Sequence, residues 1–321
     1  MKLLITEAAL REVGGVPAGV ELMVFDPAVP PRGFDAAFLS RELYFGGARD
    51  APPPAWITFV DGLLAEQGLK WLQVHSAGVD RPQYREMIAR GVRVTTAAGA
   101  NSVAVAQSAA SMVVAMGRGL PRWISAQARH EWQPIKPPLP ADLQGQQCVI
   151  LGLGPVGLEI GRILGAVGLR CIGLSRRARA EAPPGFAGTG AYAELAGLLP
   201  TTHWLVLACP LSDETRGMIG AAQLAMMPRG AGISNVARGG ILDEAAAMDA
   251  LRSGQLGCAY MDVFEQEPLP ADSAWWDTPN AIVSPHAAGP AAGNLARAAG
   301  IFRRNLDLYL AGKPLINEVE R

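Results

Sequence analysis

The chain has 321 residues, half of them apolar, and its 28 Lys and Arg against 29 Asp and Glu leave a net charge of −1. That length predicts two domains, each large enough to bury its own core. Mixed charge throughout gives no basic surface for nucleic acid, and no apolar run reaches the roughly 18 uninterrupted residues of a membrane span.

Taken in order, the first hundred residues alternate between short apolar segments and helical patterns. Segments 2–6, 21–25, 37–45, 69–75 and 92–95, bounded by Gly, Pro or charge, read as strands. The N-terminal one is too short in its apolar core for a signal peptide. Helical patterns fill 55–67 and 84–90, the first preceded by a loop at Pro52, Pro53 and Pro54. Such alternation predicts a parallel sheet with helices on both faces. A turn-rich crossing at 95–103 leads into a long helix ending near Gly117, with Asn101 or Ser102 as its N-cap. Residues 121–140 hold Trp123, Trp132 and five prolines. They suit an arm packed on a second subunit, or a segment folded onto its own domain.

A second alternating run begins at 148–151, a strand-like stretch followed by Gly152, Gly154 and Gly157 in G-x-G-x-x-G spacing and then by a helical pattern. A strand before and a helix after is the context that makes this spacing a dinucleotide motif. Gly152 allows the turn, Gly154 lets backbone approach a pyrophosphate, and Gly157 lets helix and strand pack closely. The helix N-terminus, opening at Pro155 and Val156, offers free N–H groups and a positive dipole end. Further strands are predicted at 170–174, 203–208, 232–235, 259–263 and 281–284, giving the six-strand content of a doubly wound sheet. A last helix at 291–310 carries Leu295, Ala299, Phe302, Leu306 and Tyr309 on one face and stops at Gly312 and Pro314, leaving no room for a regulatory domain. The four cysteines, Cys148, Cys171, Cys209 and Cys258, form no C-x-x-C and lie in or beside apolar runs, as buried thiols in a reducing cytoplasm would. No metal site is predicted.

Six stretches resemble the D-isomer-specific 2-hydroxyacid dehydrogenase family: SAGVD at 76–80, AGANS at 98–102, LGLGPVG at 151–157, NVARG at 235–239, MDVFEQEP at 261–268 and SPHAAG at 284–289. They run in the family's order. The resemblance implies an α/β chain of two doubly wound parallel-sheet domains. One is a flavodoxin-like substrate domain from residues 1–100 and 288–321, the other a Rossmann cofactor domain from 101–287, with the active site in the cleft between them. It also implies a homodimer acting on a small 2-keto or 2-hydroxy acid. The turn Ser76, Ala77, Gly78 would present backbone N–H groups to a substrate carboxylate. Cys209, Pro210, Thr215, Val236, Ala237 and Asp262 would lie around the nicotinamide and adenine. Gln107 stands where many relatives have Glu.

The chemistry fits the residues. Reducing a 2-keto acid needs a carboxylate clamp, a donor to the keto oxygen and a proton for the developing alkoxide. Arg238, just beyond a predicted strand, suits the first two roles, because a guanidinium is always charged and grips oxygen pairs bidentately. His286 is the candidate general acid, and Glu267 would accept its other N–H, hold the tautomer and stabilise imidazolium. His75, His130 and His203 read as structural. At the end of the cofactor domain's second strand, where an NAD enzyme places a carboxylate for the ribose 2′-OH, stand Ser175, Arg176 and Arg177. This favours NADP(H), with NAD(H) possible. The type indicated is a glyoxylate/hydroxypyruvate reductase. Formate dehydrogenases resemble the chain too but use Gln where Glu267 stands. The alternatives are an NAD-dependent dehydrogenase for another 2-hydroxy acid, or an NAD(H)-sensing corepressor-like binding module, although corepressors carry tails this chain lacks.

Overall fold

The computed structural model describes residues 1–45, 47, 51–79, 81–136 and 139–319. Asp80 of the SAGVD stretch and residues 137 and 138 of the proline-rich segment lie outside them. The chain divides into two compact units, Met1–Asn101 with Ala291–Arg321, and Ser102–Pro290.

The first unit opens β1 (Lys2–Ile5), α1 (Glu7–Val13), β2 (Glu21–Val24), β3 (Ala36–Leu39), α2 (Pro54–Ala65), β4 (Trp71–Val74), α3 (Pro82–Ala89) and β5 (Arg93–Thr96). All pairs are parallel, in the order β2-β1-β3-β4-β5, the flavodoxin-like winding. β3 and β4 are buried at every residue while edge strand β2 is largely exposed, because helices cover both faces of the middle strands. One expectation shifts here. The strand expected at 37–45 ends at Leu39, and Arg41–Tyr44 forms a 3₁₀ turn. Ser40 Oγ donates to Glu42 Oε1 at 2.5 Å, a local polar contact that competes with sheet extension. The structure adds the helix α1 to the expected elements; Thr6 caps it through the Ala9 N–H and Gly14 ends it in the left-handed region.

The second unit contains α4 (Ser102–Gly117), α5 (Leu120–Ala128), β6 (Gln147–Leu151), α6 (Pro155–Ala166), β7 (Arg170–Ser175), β8 (Phe186–Ala191), α7 (Leu195–Leu198), β9 (Trp204–Leu207), α8 (Ala221–Met226), β10 (Ala231–Asn235), α9 (Glu244–Arg252), β11 (Leu256–Met261) and β12 (Ala281–Val283). Its parallel sheet runs β12-β11-β10-β9-β6-β7-β8. Counted from β6 this is the 3-2-1-4-5-6 order of a Rossmann fold with one strand added. Seven strands replace the expected six. The additional strand, β8, has the sequence Phe-Ala-Gly-Thr-Gly-Ala, with no apolar run to mark it. Val149, Leu151, Leu205, Leu207 and Ile233 pack on one face and Cys148, Ile150 and Val206 on the other. The segment 121–140 begins inside α5, whose Ala126 is buried while Trp123, Ile124 and, beyond it, Trp132 stay exposed.

The closing helix, α10 (Asn294–Leu310), returns to the first unit, where Phe302 stacks on Phe38 and Trp71 with ring centroids 4.6 and 5.2 Å apart. Among the described residues no single helix is long and apolar enough to cross a membrane.

Candidate active site

The glycine turn joins β6 to α6 at the switch point, where β7 and β9 flank β6 on opposite sides. Gly152 has φ +106°, and a Cβ there would lie 2.6 Å from the Ala208 carbonyl oxygen. A Cβ on Gly157 would lie 1.8 Å from the Gly152 carbonyl oxygen. Any side chain at either position would force the turn open. Gly154 differs: a Cβ there would meet nothing within 4 Å. No side chain caps α6, and Pro155 sits in its first turn, so its leading N–H groups face outward for an anion. A turn that is closed at two glycines and open over the third fits the pyrophosphate of a dinucleotide.

At the carboxyl end of β7, Ser175 Oγ donates to the Arg177 carbonyl at 2.8 Å, turning the chain sharply. Arg176 reaches across to the loop after β9, its Nε donating to Glu214 Oε2 at 3.1 Å. Arg177 is exposed. Arg179, not singled out from the sequence, donates through Nη2 to the Leu153 carbonyl at 2.7 Å, and so lies on the glycine turn itself. The loop after β9 is tied internally. Thr215 is buried, its Oγ1 donating to the Pro210 carbonyl at 2.7 Å and accepting from the Ser212 N–H at 2.8 Å. Cys209 is buried, and burial pushes its thiol up to about 11. Cys148 and Cys171 are also buried, and Cys258 is half-buried; all four thiols are free.

Arg238, Glu267 and His286 come from three loops beyond β10, β11 and β12. Arg238 follows β10 in extended conformation, its Nη1 donating to the Ala237 carbonyl at 2.7 Å. Asn235 holds this loop, donating to the Arg238 carbonyl at 3.1 Å and accepting from the Ala237 N–H at 3.1 Å. Gly239 then packs on the next loop so closely that a Cβ would lie 2.0 Å from the Phe264 carbonyl carbon. His286 Nδ1 and Glu267 Oε2 are 2.8 Å apart. Glu267 Oε1 accepts from the Phe264 N–H at 3.0 Å. Burial alone would raise the Glu267 pKa, but the His286 hydrogen bond and charge, the Phe264 N–H and the Arg238 charge bring it below the usual carboxylate range. An ionised Glu267 only accepts, so the Nδ1 position carries the proton and Nε2 is left to exchange one.

The strain in the His286 loop has a specific brace. His286 has φ +51°, a left-handed conformation rare for a residue with a side chain. Asp262, at the end of β11 and 2% exposed, accepts through Oδ1 from Ser284 Oγ at 2.6 Å, the Ala287 N–H at 2.7 Å and the Ala288 N–H at 3.0 Å. Its backbone carbonyl takes the His286 N–H at 2.9 Å. From α4, Ser108 Oγ donates to the Ala288 carbonyl at 3.2 Å. Val236 and Ala237 line the neighbouring loop, half-buried and buried respectively.

In the first unit, Ser76 Oγ donates to the Gly78 carbonyl at 2.8 Å, closing the turn that includes exposed Ala77. His75 just before it has a buried Nδ1 without a hydrogen-bond partner among the described residues, and burial, reinforced by the Arg41 charge, pushes its pKa down to about 4. His203 precedes β9 and its Nδ1 accepts from the Gln147 N–H at 3.4 Å. His130 sits in the turn after α5 with φ +57°.

A seven-stranded parallel sheet in this order, with a closed glycine turn at its switch point, defines the class: a dinucleotide-binding α/β protein. The family model for the NAD-binding domain of D-isomer specific 2-hydroxyacid dehydrogenases matches residues 110–288. Glyoxylate reductase of Aeropyrum pernix is 32% identical over 238 residues, covering 72% of this chain and 70% of that one. The chain thus belongs to the D-isomer specific 2-hydroxyacid dehydrogenase family. D-3-phosphoglycerate dehydrogenase of Methanocaldococcus jannaschii is 31% identical over 226 residues, 70% of this chain, but the match spans only 43% of that protein's length. A family member from Aeromonas salmonicida superposes with a TM-score of 0.80 at 26% identity, covering 99% and 98% of the two chains. An NADPH-dependent glyoxylate/hydroxypyruvate reductase from Sinorhizobium meliloti, crystallised with NADP and sulfate, superposes with a TM-score of 0.77 at 26% identity, with the same coverage.

Proposed function

We propose that this chain is an NADP(H)-preferring reductase of small 2-keto acids of the glyoxylate/hydroxypyruvate type. The observation that carries the reading is the His286–Glu267 contact at 2.8 Å beside the charge of Arg238. An imidazole held in one tautomer by an ionised carboxylate, next to a guanidinium, is the equipment for protonating a keto oxygen while gripping a carboxylate. A bound reduced nicotinamide supplies the hydride. Arg238 clamps the substrate carboxylate and polarises its keto oxygen, which raises the electrophilicity of the carbon. His286 delivers its Nε2 proton to the oxygen as negative charge develops there, and Glu267 stabilises the imidazolium before transfer. Asp262 and Ser108 keep the 284–288 loop rigid, so the imidazole is aimed without further ordering cost. For the turn at Ser76, Ala77 and Gly78 we propose an anion-binding role through its backbone N–H groups. Small-molecule turnover in a homodimer is the assembly we expect.

The glycine turn holds the dinucleotide through Gly152, Gly154, Pro155, Val156 and Gly157, with Ser175, Arg176 and Arg177 beside the adenosine ribose and no carboxylate at the end of β7. Two substitutions separate the glycine roles. Gly157→Ala meets backbone at 1.8 Å and should cost about 1–3 kcal/mol through overpacking, read as a fall in Tm of roughly 3–10 °C. Gly154→Ala meets open space, so Tm should hold while the dissociation constant for NADP⁺ rises at least tenfold. Equal losses of Tm in both variants would remove the distinction. The function itself is tested by turnover of glyoxylate and hydroxypyruvate with NADPH and with NADH.

A further inference from the structure

The arginine best placed to meet a 2′-phosphate is already paired. Arg176 Nε donates to Glu214 Oε2 at 3.1 Å, with Arg176 71% exposed and Glu214 42% exposed at the side chain. Glu214 is not on a free loop. Thr215 beside it is buried and hydrogen-bonded to Pro210 and Ser212, and the Arg216 N–H donates to the Ser212 carbonyl at 2.9 Å. The same carboxylate bears on Cys209 and Tyr192, whose ionisation is opposed first by burial and then in part by the Glu214 charge. Glu214 therefore lies among Arg176, Cys209 and Tyr192, in the region assigned above to the adenosine end of the dinucleotide.

We propose that Glu214 is a specificity-determining residue that lowers the preference of this chain for NADP(H) over NAD(H). The inference rests on the reading of Arg176 as a 2′-phosphate partner. A 2′-phosphate carries nearly two negative charges. Glu214 takes the Nε of Arg176, so the phosphate meets that guanidinium either by displacing the carboxylate or on the other donors beside it, and in both cases it lies next to a like charge. A 2′-hydroxyl makes no such demand. Glu214 thus takes the place of the carboxylate missing from the end of β7, supplying negative charge from a neighbouring loop. Acting through Arg176, it is a positioning residue for the cation and a repulsive element against one cofactor, the way specificity is commonly set by what is disfavoured.

Titration calorimetry of the full chain with NADP⁺ and NAD⁺ at fixed ionic strength tests this. An exposed ion pair of this kind is worth a few-fold in binding, and the relieved repulsion adds to it. Glu214→Gln should therefore tighten NADP⁺ by about three- to tenfold and leave NAD⁺ within about twofold. Glu214→Asp keeps the charge and should stay near the parent. In an Arg176→Ala background the gain from Glu214→Gln should shrink to the relieved repulsion alone, because no ion pair remains to be broken. Unchanged or weaker NADP⁺ binding in Glu214→Gln, or the same gain without Arg176, would overturn the proposal. The two readings fail differently. If Arg176→Ala alone leaves NADP⁺ affinity intact, the phosphate role of Arg176 is wrong. If Arg176→Ala weakens NADP⁺ and Glu214→Gln changes nothing, only the role of Glu214 is wrong.

Discussion

Replacing His286 by alanine is expected to lower the rate of 2-keto acid reduction by about 10²–10⁴-fold, the range associated with losing a positioned general acid. His286→Ala should keep its Tm and its NADP⁺ affinity, which separates loss of the acid from loss of the fold. On the acid side, Glu267 is held below the usual carboxylate range. The stability gained from its ionised form is therefore present above the ordinary carboxylate titration, and is lost only as pH falls through the depressed value. The pair should stay intact across mildly acidic pH. Glu267→Gln should lower the rate as well, because a neutral amide no longer offers the ionised acceptor that fixes the proton on Nδ1, and it should abolish the acid-side dependence that the Glu267 carboxylate contributes. A near-parental rate in Glu267→Gln would mean that the 2.8 Å contact does not govern the proton. Rate–pH profiles of the three proteins at saturating cofactor provide the comparison.

Arg238→Lys should cost roughly ten- to hundredfold in kcat/KM, the worth of a charge-assisted hydrogen bond of about 1.5–3 kcal/mol. Lysine keeps the charge but presents a single point donor where a planar fork grips two oxygens. The Arg238 carbonyl is held by Asn235 and the loop is seated by Gly239 against Phe264, so the backbone should be undisturbed and Tm should change little. NADP⁺ affinity should also persist. A variant with near-parental kcat/KM on both glyoxylate and hydroxypyruvate would remove Arg238 from the role of clamp. A variant that lost stability as well would point to a structural role.

The most legible features in the sequence were those whose physics is local. A strand before Gly152 and a helix opening at Pro155 are read within a dozen residues, and the parallel direction of both sheets follows from the alternation of strand and helical patterns. What escaped was of two kinds. β8 carries Gly188 and Gly190 and alternates small residues, so it pairs with β7 without the apolar signature of a strand; its place in the sheet comes from tertiary packing. α1 escaped for a different reason, since its Thr6 cap and Gly14 stop were present as signals. The other kind is contact between loops distant in sequence. Glu214 meets Arg176 across 38 positions, and Arg179 reaches Leu153 across 26; no spacing rule announces either pair. The brace at Asp262 falls between these cases. Its position within MDVFEQEP was visible, but its use in holding the strained backbone at His286 depends on β11 and β12 lying side by side.

The most direct test of the account is the cofactor and product of one reaction, hydroxypyruvate reduction by the purified chain, followed by loss of reduced cofactor at matched NADPH and NADH and by chiral analysis of the glycerate formed. An NADP(H)-preferring 2-keto acid reductase of this type gives D-glycerate, a higher kcat/KM with NADPH than with NADH, and loss of the activity in His286→Ala with NADP⁺ binding retained. No turnover of hydroxypyruvate, glyoxylate or other small 2-keto acids with either cofactor, in a protein that nonetheless binds dinucleotide, would contradict it and favour a dinucleotide-sensing binding module.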